Sequence, residues 1–248
     1  IMLNTDQIYH LACPASPKYY QQDPIATMKT SILGSLTVLN MAKENNSSVL
    51  LASTSEIYGE PQIFPQTEDY RGNVSSIGIR ACYDEGKRAA ETLFMDYSRM
   101  YNVNTHIARI FNTYGPRLSR DDGRVVSNFV TQALDNLPIT IYGCGTQTRS
   151  FCYVDDTVNG LVELMNSSLK FPVNIGNPNE ITVTALAYAI INLTNSKSTL
   201  IEQPLPQDDP TRRQPCIKRA LELLNWKPTT NLETGLQKTI AHFRDTSI

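Results

Sequence analysis

The chain has 248 residues, of which 41% are hydrophobic and 19% are charged, with 12 glycines and 14 prolines. These proportions exclude a coiled coil, a collagen-like repeat and a disordered chain, and they are typical of a globular fold. With 22 basic and 24 acidic residues the net charge is -2, and the scattered basic residues argue against a nucleic-acid partner. No apolar run reaches the length of a membrane span. The cysteines are widely spaced without a CxxC pair, so we expect free thiols and no metal site.

Apolar runs of strand length alternate with helix-length stretches in the first half of the chain. The segments 7–12, 48–53 and 105–110 predict strands, and the segments 24–44 and 83–101 predict helices. Because strands alternate with helices along the chain, this order predicts a parallel sheet wound with helices.

Shorter elements follow the third predicted strand. We predict helices at 124–134 and 155–166 and a strand at 139–142. We therefore predict a sheet-forming part, residues 1–115, and a smaller C-terminal lobe, residues 116–248, some of whose elements return to the sheet.

One common feature of dinucleotide-binding sheets is missing from this sequence. Such sheets open with a strand, a glycine-rich turn and a helix whose first amides hold the pyrophosphate. The nearest glycine-containing run, 143–148, lacks the third glycine and comes late, so we interpret it as an ordinary turn. The expected fold is an α/β, Rossmann-like, doubly wound parallel sheet that lacks its first strands and glycine-rich turn.

Tyr83 and Lys87 are the strongest chemical signal. They lie four residues apart on a predicted helix and so share a face, where an ammonium stabilises a phenolate and allows tyrosine to act as a base. This spacing alone is common on helix surfaces. A hydroxyl-rich run with one carboxylate, 53–56, ends the preceding buried strand, where open α/β sheets bind ligands. The run is also typical of a capping turn, but the combination favours the catalytic interpretation.

Several segments carry a resemblance to a known family. They are HLACPASP at 10–17, STSE at 53–56, RACYDEGKR at 80–88, ARIFNTYGP at 108–116, DGRVVSNF at 122–129 and TRSF at 148–151. Through these segments the chain resembles the extended short-chain dehydrogenase/reductases, a superfamily of NAD-dependent epimerases and dehydratases. Within that superfamily it resembles the UDP-glucuronic acid decarboxylases, over a stretch from Asp6 to near the C-terminus.

The resemblance implies that NAD is the cofactor and a UDP-sugar the substrate. It implies that residues 1–115 are a partial NAD-binding domain and that residues 116–248 are mainly a substrate-binding lobe. Oxidation at the sugar 4-hydroxyl would give a β-keto acid that loses CO2. Protonation of the resulting enol and return of the hydride would then complete the conversion of UDP-glucuronate to UDP-xylose and regenerate NAD. The implied catalytic residues are Thr54, Glu56, Tyr83, Lys87 and Arg149. The implied cofactor-binding residues are Leu11, Ala12, Thr54, Tyr83 and Lys87. The implied substrate-binding residues are Tyr20, Asn112, Arg124, Arg149 and Arg213.

The resemblance also implies individual roles. Tyr83 would take the proton of the 4-hydroxyl, and Thr54 would hold the 4-oxygen. Glu56 would act near the reacting ring carbon, with Tyr20 near the glucuronate carboxylate. Arg213 would bind the diphosphate, for which a planar guanidinium is well suited.

Related reactions remain as alternatives. A 4,6-dehydratase would need an acid where Ser55 stands, so dehydration is disfavoured. A UDP-sugar 4-epimerase, which typically lacks a carboxylate at the Glu56 position, is the second enzymatic candidate. A non-catalytic paralogue or dimer partner is the third candidate. Because the glycine-rich turn is absent from this sequence, we expect the 248-residue chain alone to bind NAD weakly and to be nearly inactive.

The family further implies a homodimer built on the two long helices. The residues expected in its core are Leu36, Leu39, Ala90, Leu93, Phe94 and Tyr97. Cys216 stands where the family has aspartate, which removes a carboxylate expected to hold Arg213. The compartment stays open between the cytoplasm and the Golgi lumen.

Overall fold

The computed structural model describes residues 4–204 and 212–245. Its strands are β1 (Gln7–His10), β2 (Ser48–Thr54), β3 (Asn104–Ile110), β4 (Thr113–Tyr114), β5 (Ile139–Tyr142), β6 (Thr148–Ser150), β7 (Cys152–Tyr153), β8 (Val173–Ile175), β9 (Glu180–Thr182), β10 (Leu200–Gln203) and β11 (Arg212–Arg213). Its α-helices are α1 (Pro17–Tyr20), α2 (Pro24–Lys29), α3 (Ser35–Asn45), α4 (Ala81–Tyr101), α5 (Val125–Leu134), α6 (Val154–Met165), α7 (Val183–Thr194), α8 (Lys218–Leu224) and α9 (Leu232–Asp245). All the strands and helices predicted from periodicity are present at nearly the predicted bounds.

The central sheet contains four parallel strands in the order β1-β2-β3-β8. Strand β2 lies inside it and is buried along nearly its whole length, because the apolar run from Val49 to Leu51 faces helices on both sides. Val49 and Leu51 join one core cluster and Leu50 joins the other, as the two-residue period of a strand requires. The fold is therefore the Rossmann-like, doubly wound α/β fold that the sequence predicts.

The first long helix is continuous from residue 24 to residue 45. A π-helical turn, Thr30–Gly34, connects α2 to α3 with right-handed helical backbone on both sides. Asp23 caps the start of α2 by accepting a hydrogen bond from the Ala26 amide. A left-handed Asn46 ends α3. This helix packs against α4 on one face of the sheet.

The prediction of the dimer core is wrong for three of its six residues. Leu39, Ala90 and Phe94 each have an exposed fraction of 0% because they pack against the sheet in the chain's own core. Their side chains point inward and cannot contact a second copy. Leu36, Leu93 and Tyr97 are only half-buried.

The remaining elements form a second core. Helices α5, α7 and α9 and strand β5 contribute buried side chains to it, among them Phe129, Ile141, Leu186, Ile240 and Phe243. Strand β8 lies beyond residue 116 in sequence but pairs with β3 in the central sheet. The division at residue 115 stays a prediction.

Candidate active site

Strand β2 carries Thr54 and Glu56 to the carboxyl edge of the sheet. The strand ends at Thr54, whose hydroxyl accepts a hydrogen bond from the Glu56 amide at 3.2 Å and caps a short 3₁₀ turn, Ser55–Tyr58. The capping interpretation of this hydroxyl-rich run is thus correct, and it does not exclude the catalytic one. The cap fixes both side chains at the edge where parallel sheets bind ligands.

Tyr83 and Lys87 lie on the first turns of α4 and face this strand end. The Tyr83 phenol and the Thr54 hydroxyl are hydrogen-bond partners. The Lys87 ammonium donates a hydrogen bond to Ala52 O at 2.8 Å and lies 5.9 Å from the centre of the Tyr83 ring. Thr54, Tyr83 and Lys87, named here the Tyr83 triad, therefore come together as the sequence predicts.

Gly86 allows α4 to approach the preceding helix closely. A Cβ at this position would lie 3.0 Å from the Ser31 Cβ and 3.3 Å from the Met28 sulfur. A side chain at Gly86 would require the Ser31 and Met28 side chains to shift by a few tenths of an ångström, so glycine suits this close approach.

Burial controls the protonation of the triad. Burial raises the pKa of Tyr83 well above its usual value, and the hydrogen bond from Thr54 opposes this only in part. Burial also lowers the pKa of the Lys87 ammonium. Without a ligand, both effects favour the neutral phenol, so ionisation of Tyr83 requires added positive charge nearby.

A second group of side chains lies against the triad. Glu56 forms ion pairs with Arg80 at 2.6 Å and with Arg213. Burial alone would raise the pKa of Glu56, but the Arg213 and Arg80 guanidiniums hold it below its usual value. The Tyr20 ring stacks on the Tyr83 ring with 4.9 Å between their centres.

Asp84 follows Tyr83 on α4 and belongs to the same group. It is buried, and burial together with the charge of Glu56 raises its pKa to about 7, against the opposing charges of Arg80 and Arg213. We name Tyr20, Glu56, Arg80, Asp84 and Arg213 the charged cluster. A cavity of about 370 Å³ adjoins the cluster, and its lining residues are Glu56, Gly59, Glu60, Asn73, Val74, Ser75, Gly78, Arg80, Ala81 and Asp84.

Arg149 and Arg213 are neighbours across a parallel strand pair. Strand β6 aligns Arg149 with Arg213 of β11, and both side chains are buried. One Arg149 nitrogen donates to Thr148 O at 2.9 Å. Arg213 is held by Glu56, so the aspartate that Cys216 replaces is not needed to anchor it.

The other predicted site residues lie outside this group. Arg124 precedes α5 and pairs with Asp122 at 3.0 Å. Asn112 follows β3, and its carbonyl accepts a hydrogen bond from the Cys152 amide. Leu11 and Ala12 follow β1 at the same edge of the sheet and are exposed. Their binding roles stay predictions.

Sequence reasoning missed two members of the charged cluster. Arg80 and Asp84 lie on either side of Tyr83, four residues apart, in the segment that carries the resemblance. The signal available in the sequence was an acidic residue, Asp84, directly after Tyr83, the expected base. Its meaning depended on Glu56 and Arg213, which are distant in sequence.

Other features of the described residues bear on ligands. A second cavity, of about 470 Å³, lies between segments 177–181 and 227–232 and shares no lining residue with the charged cluster. Within residues 4–204 and 212–245, no group of histidine, cysteine and acidic side chains is arranged to hold a metal ion. In the same ranges no helix combines the length and apolar character needed to cross a bilayer.

Comparison with known families identifies the family of this chain. Residues 2–176 match the family model described as the NAD dependent epimerase/dehydratase family. The chain belongs to this family. The superfamily resemblance inferred from the sequence motifs is thereby confirmed.

Curated relatives sharpen the comparison. UDP-glucuronic acid decarboxylase 1 of Danio rerio is 53% identical over 243 residues, which are 98% of this chain and 58% of that protein. UDP-glucuronic acid decarboxylase 5 of Arabidopsis thaliana is 51% identical over 244 residues, 98% of this chain and 72% of the relative. The chain thus spans little more than half of the zebrafish protein. The predicted resemblance to proteins of this name is confirmed.

Solved structures share the fold. UDP-glucose 4-epimerase of Thermotoga maritima, solved with UDP-glucose, has a TM-score of 0.92 at 28% identity and covers 98% of this chain and 78% of its own. UDP-glucuronic acid 4-epimerase of Bacillus cereus, solved with UDP-glucuronic acid and NAD, has a TM-score of 0.88 at 25% identity over 97% of this chain and 76% of its own.

Proposed function

We propose that this chain carries the catalytic part of an NAD-dependent decarboxylase that converts UDP-glucuronate to UDP-xylose through a 4-keto sugar. The observation that carries the proposal is the hydrogen-bonded Thr54–Tyr83 pair with Lys87 behind it and the charged cluster against the Tyr83 ring. A base beside buried arginines suits a substrate that carries both a reacting hydroxyl and a carboxylate.

The chain's own residues divide the chemistry between them. Tyr83 takes the proton of the sugar 4-hydroxyl and later returns it, and Thr54 holds the 4-oxygen through its hydroxyl. Lys87 stabilises the ionised phenol by its positive charge. Once the neighbouring carbon bears a ketone, the bond to the carboxyl carbon breaks and CO2 leaves, because the electron pair of that bond is delocalised into the carbonyl as an enolate. A proton from solvent then adds to the carbon that bore the carboxylate, before the ketone is reduced again and Tyr83 returns its proton to the 4-oxygen. Arg80 orients that carboxylate beforehand, and Arg213 binds the diphosphate as the resemblance implies.

The residues present fit NAD at the edge of the sheet. Among the described residues the Lys87 ammonium donates one hydrogen bond, to Ala52 O, and its other N–H groups suit a ribose diol. Leu11, Ala12, Thr54, Tyr83 and Lys87 are the residues that we assign to it. When bound, NAD supplies a reversible hydride acceptor and a positive charge near the phenol.

A 4-epimerase is the second candidate, because solved 4-epimerases share the fold at TM-scores of 0.92 and 0.88. Two observations favour decarboxylation. The relatives named decarboxylases are about twice as similar in sequence. Epimerases typically lack a carboxylate at the position of Glu56. Here Glu56 forms ion pairs with two arginines, Arg80 and Arg213. A non-catalytic role remains the third candidate.

The test is incubation of the protein, expressed with any sequence that flanks it in its gene, with NAD and UDP-glucuronate labelled at the carboxyl carbon. We expect labelled CO2 and UDP-xylose. Formation of UDP-galacturonate without CO2 would assign the epimerase instead. Formation of neither product, in a protein that binds NAD, would leave the non-catalytic role.

We also propose that the protein forms a homodimer through its long helices. Leu33 and Met100 are exposed on these helices, with exposed fractions of 55% and 71%, and Leu36 and Leu93 are half-buried. Such apolar positions suit contact with a second copy. Sedimentation should give twice the chain mass, and Leu33→Asp should shift it to the monomer. A monomeric parent protein at micromolar concentration contradicts this proposal.

A further inference from the structure

A fully buried glutamine holds the segment that follows β11. Gln66 lies in the loop before α4, and its exposed fraction is 0%. Its Oε1 accepts a hydrogen bond from the Gln214 amide at 2.8 Å, and its Nε2 donates to Ile63 O at 3.0 Å. The main chain of Gln66 also donates to Gln214 O and accepts from the Cys216 amide, both at 2.8 Å. Gln66 therefore fixes the residues that directly follow β11.

Asn174, also fully buried, connects this segment to the turn that carries Glu56. Its Nδ2 donates hydrogen bonds to Gln66 O at 3.0 Å and to Cys216 O at 3.1 Å. Its Oδ1 accepts a hydrogen bond from the Tyr58 hydroxyl at 2.8 Å, and Tyr58 belongs to the same 3₁₀ turn as Glu56. Asn174 itself lies on β8 in the central sheet. We name Gln66 and Asn174 the β11 clamp.

The clamp continues the support that β6 gives to β11. Strand β11 consists of two residues, Arg212 and Arg213, which pair with β6. Pro215 follows soon after and has no N–H group with which to extend this pairing. The hydrogen bonds of the clamp begin at Gln214, where the strand pairing ends. The clamp therefore fixes the direction in which the chain leaves Arg213.

The position of Arg213 matters for the role that we assign to it. Its guanidinium pairs with Glu56, and its buried Nε–H has no hydrogen-bond partner among the described residues. Such a donor suits an anionic oxygen of a ligand, and the family resemblance assigns the diphosphate to Arg213. A planar guanidinium donates along fixed directions, so a small displacement of β11 would misalign it with a phosphate oxygen.

We propose that Gln66 and Asn174 are positioning residues, which hold Arg213 where its guanidinium meets the diphosphate of the UDP-sugar. The proposal rests on the proposed function, from which it takes the diphosphate role of Arg213. Both side chains act through the main chain of the segment 214–216, to which they are bonded. The Tyr83 triad is anchored separately, at the end of β2. The clamp should therefore affect substrate binding and not the chemical step.

The first experiment separates binding from catalysis. Gln66→Met keeps the length of the side chain but removes the acceptor of the Gln214 amide. The protein is expressed with any sequence that flanks it in its gene and loaded with NAD, and calorimetry measures the Kd of UDP, which carries the diphosphate without a sugar acid. We expect the Kd of UDP and the KM for UDP-glucuronate to rise about tenfold, as for the loss of one charge-assisted hydrogen bond, while kcat for CO2 release changes less than about twofold. An unchanged Kd of UDP overturns the proposal.

The second experiment asks whether the clamp acts through Arg213. Gln66→Met is combined with Arg213→Lys, which keeps the positive charge but loses the planar fork. In the Arg213→Lys background, Gln66→Met should weaken UDP binding by less than about twofold, because the geometry that the clamp controls is already lost. An equal loss of UDP affinity in both backgrounds would mean that Gln66 acts independently of Arg213, and the proposal would be wrong.

A control variant separates positioning from general stability. Thr239 is also fully buried, and its hydroxyl donates a hydrogen bond to Gly235 O within α9. Thr239→Val removes this hydrogen bond and should leave the Kd of UDP unchanged. A rise in Kd equal to that of Gln66→Met would show that UDP affinity follows stability, which contradicts the proposal.

A second clamp variant covers the case in which Gln66→Met fails to fold. Asn174→Asp keeps the acceptor of the Tyr58 hydroxyl and removes the donors to Gln66 O and Cys216 O. We expect the same rise in the Kd of UDP with little change in kcat. If neither variant retains the cooperative urea unfolding of the parent, the clamp serves the fold alone and the proposal is wrong.

The two proposals fail in different ways. If the parent protein releases CO2 from UDP-glucuronate and the clamp variants bind UDP as tightly as the parent, only the role of the clamp is wrong. If the clamp variants lose UDP affinity through Arg213 but the parent releases no CO2, the clamp inference stands and the decarboxylase proposal fails. If the parent protein does not bind UDP, both proposals fail.

Discussion

The Tyr83 triad and the charged cluster are in contact through the Tyr83 ring, yet they are held in different ways. Main-chain geometry holds the triad: the end of β2 places Thr54, and Ala52 O receives Lys87. Ion pairs hold the charged cluster together, since Glu56 pairs with Arg80 and Arg213 from separate parts of the chain. The triad is therefore preorganised before a ligand arrives, whereas the cluster depends on pH and on what binds to it.

The largest expected effect is a loss of catalysis in Tyr83→Phe without a loss of ligand binding. Tyr83→Phe keeps the ring that stacks on Tyr20 but removes the proton acceptor. In the protein expressed with the sequence that flanks it in its gene, release of CO2 from UDP-glucuronate should fall by about two to four orders of magnitude, the usual contribution of a general base. The Kd for UDP-glucuronate should change little, because the charged cluster is intact. Release at near the parent rate would remove Tyr83 from the catalytic role.

The second effect concerns the stability of the charged cluster. Glu56→Gln leaves two buried guanidiniums without their carboxylate and should cost about 3 kcal/mol of unfolding free energy at pH 7. Because the pKa of Glu56 is lowered in the folded protein, this stabilisation is present above the unfolded pKa and is lost as the pH falls through the folded value. Denaturation with urea at pH 7 and pH 3 measures it, with the exposed Glu163→Gln as control. An equal loss at both pH values contradicts the ionic origin.

The third effect concerns Asp84, which should contribute to stability in the opposite direction from Glu56. The raised pKa of Asp84 means that its ionisation opposes folding above the unfolded pKa, so stability from this group falls as pH rises from about 4 towards 7. Asp84→Asn should increase the unfolding free energy on the order of 2 kcal/mol at pH 8 and leave it nearly unchanged at pH 4. Parallel urea titrations at the two pH values provide the measurement. A destabilised variant at pH 8 would show that ionised Asp84 is favourable in the ligand-free cluster.

The smallest expected change in stability belongs to Lys87. Burial lowers the pKa of its ammonium, so carrying the charge at neutral pH costs folding free energy that would disappear above the unfolded pKa. Lys87→Met should therefore change stability by less than about 1 kcal/mol at pH 7, in the stabilising direction, although CO2 release falls strongly. Thermal unfolding and the CO2 assay on one preparation test both parts. A large loss of stability would mean that the hydrogen bond to Ala52 O outweighs the cost of burial.

The sequence alone determined the regular elements and the triad. The apolar run of β2 and the periodicity of residues 24–45 are local patterns, and they predict structure because backbone geometry repeats over short distances. The four-residue spacing of Tyr83 and Lys87 places both on one helix face for the same reason. The triad followed once the helix was known to face the strand end.

Tertiary structure decided the rest. Glu56 and Arg213 are 157 residues apart, so no local period relates them, and only the pairing of β11 with β6 brings Arg213 to the site. The pKa of Asp84 depends on burial and on charges from other elements, which the spacing of residues in the chain does not contain. The inward direction of Leu39 and Phe94 was likewise settled by the sheet beneath them. Long-range packing and desolvation are properties of the folded chain, and they control the charged cluster.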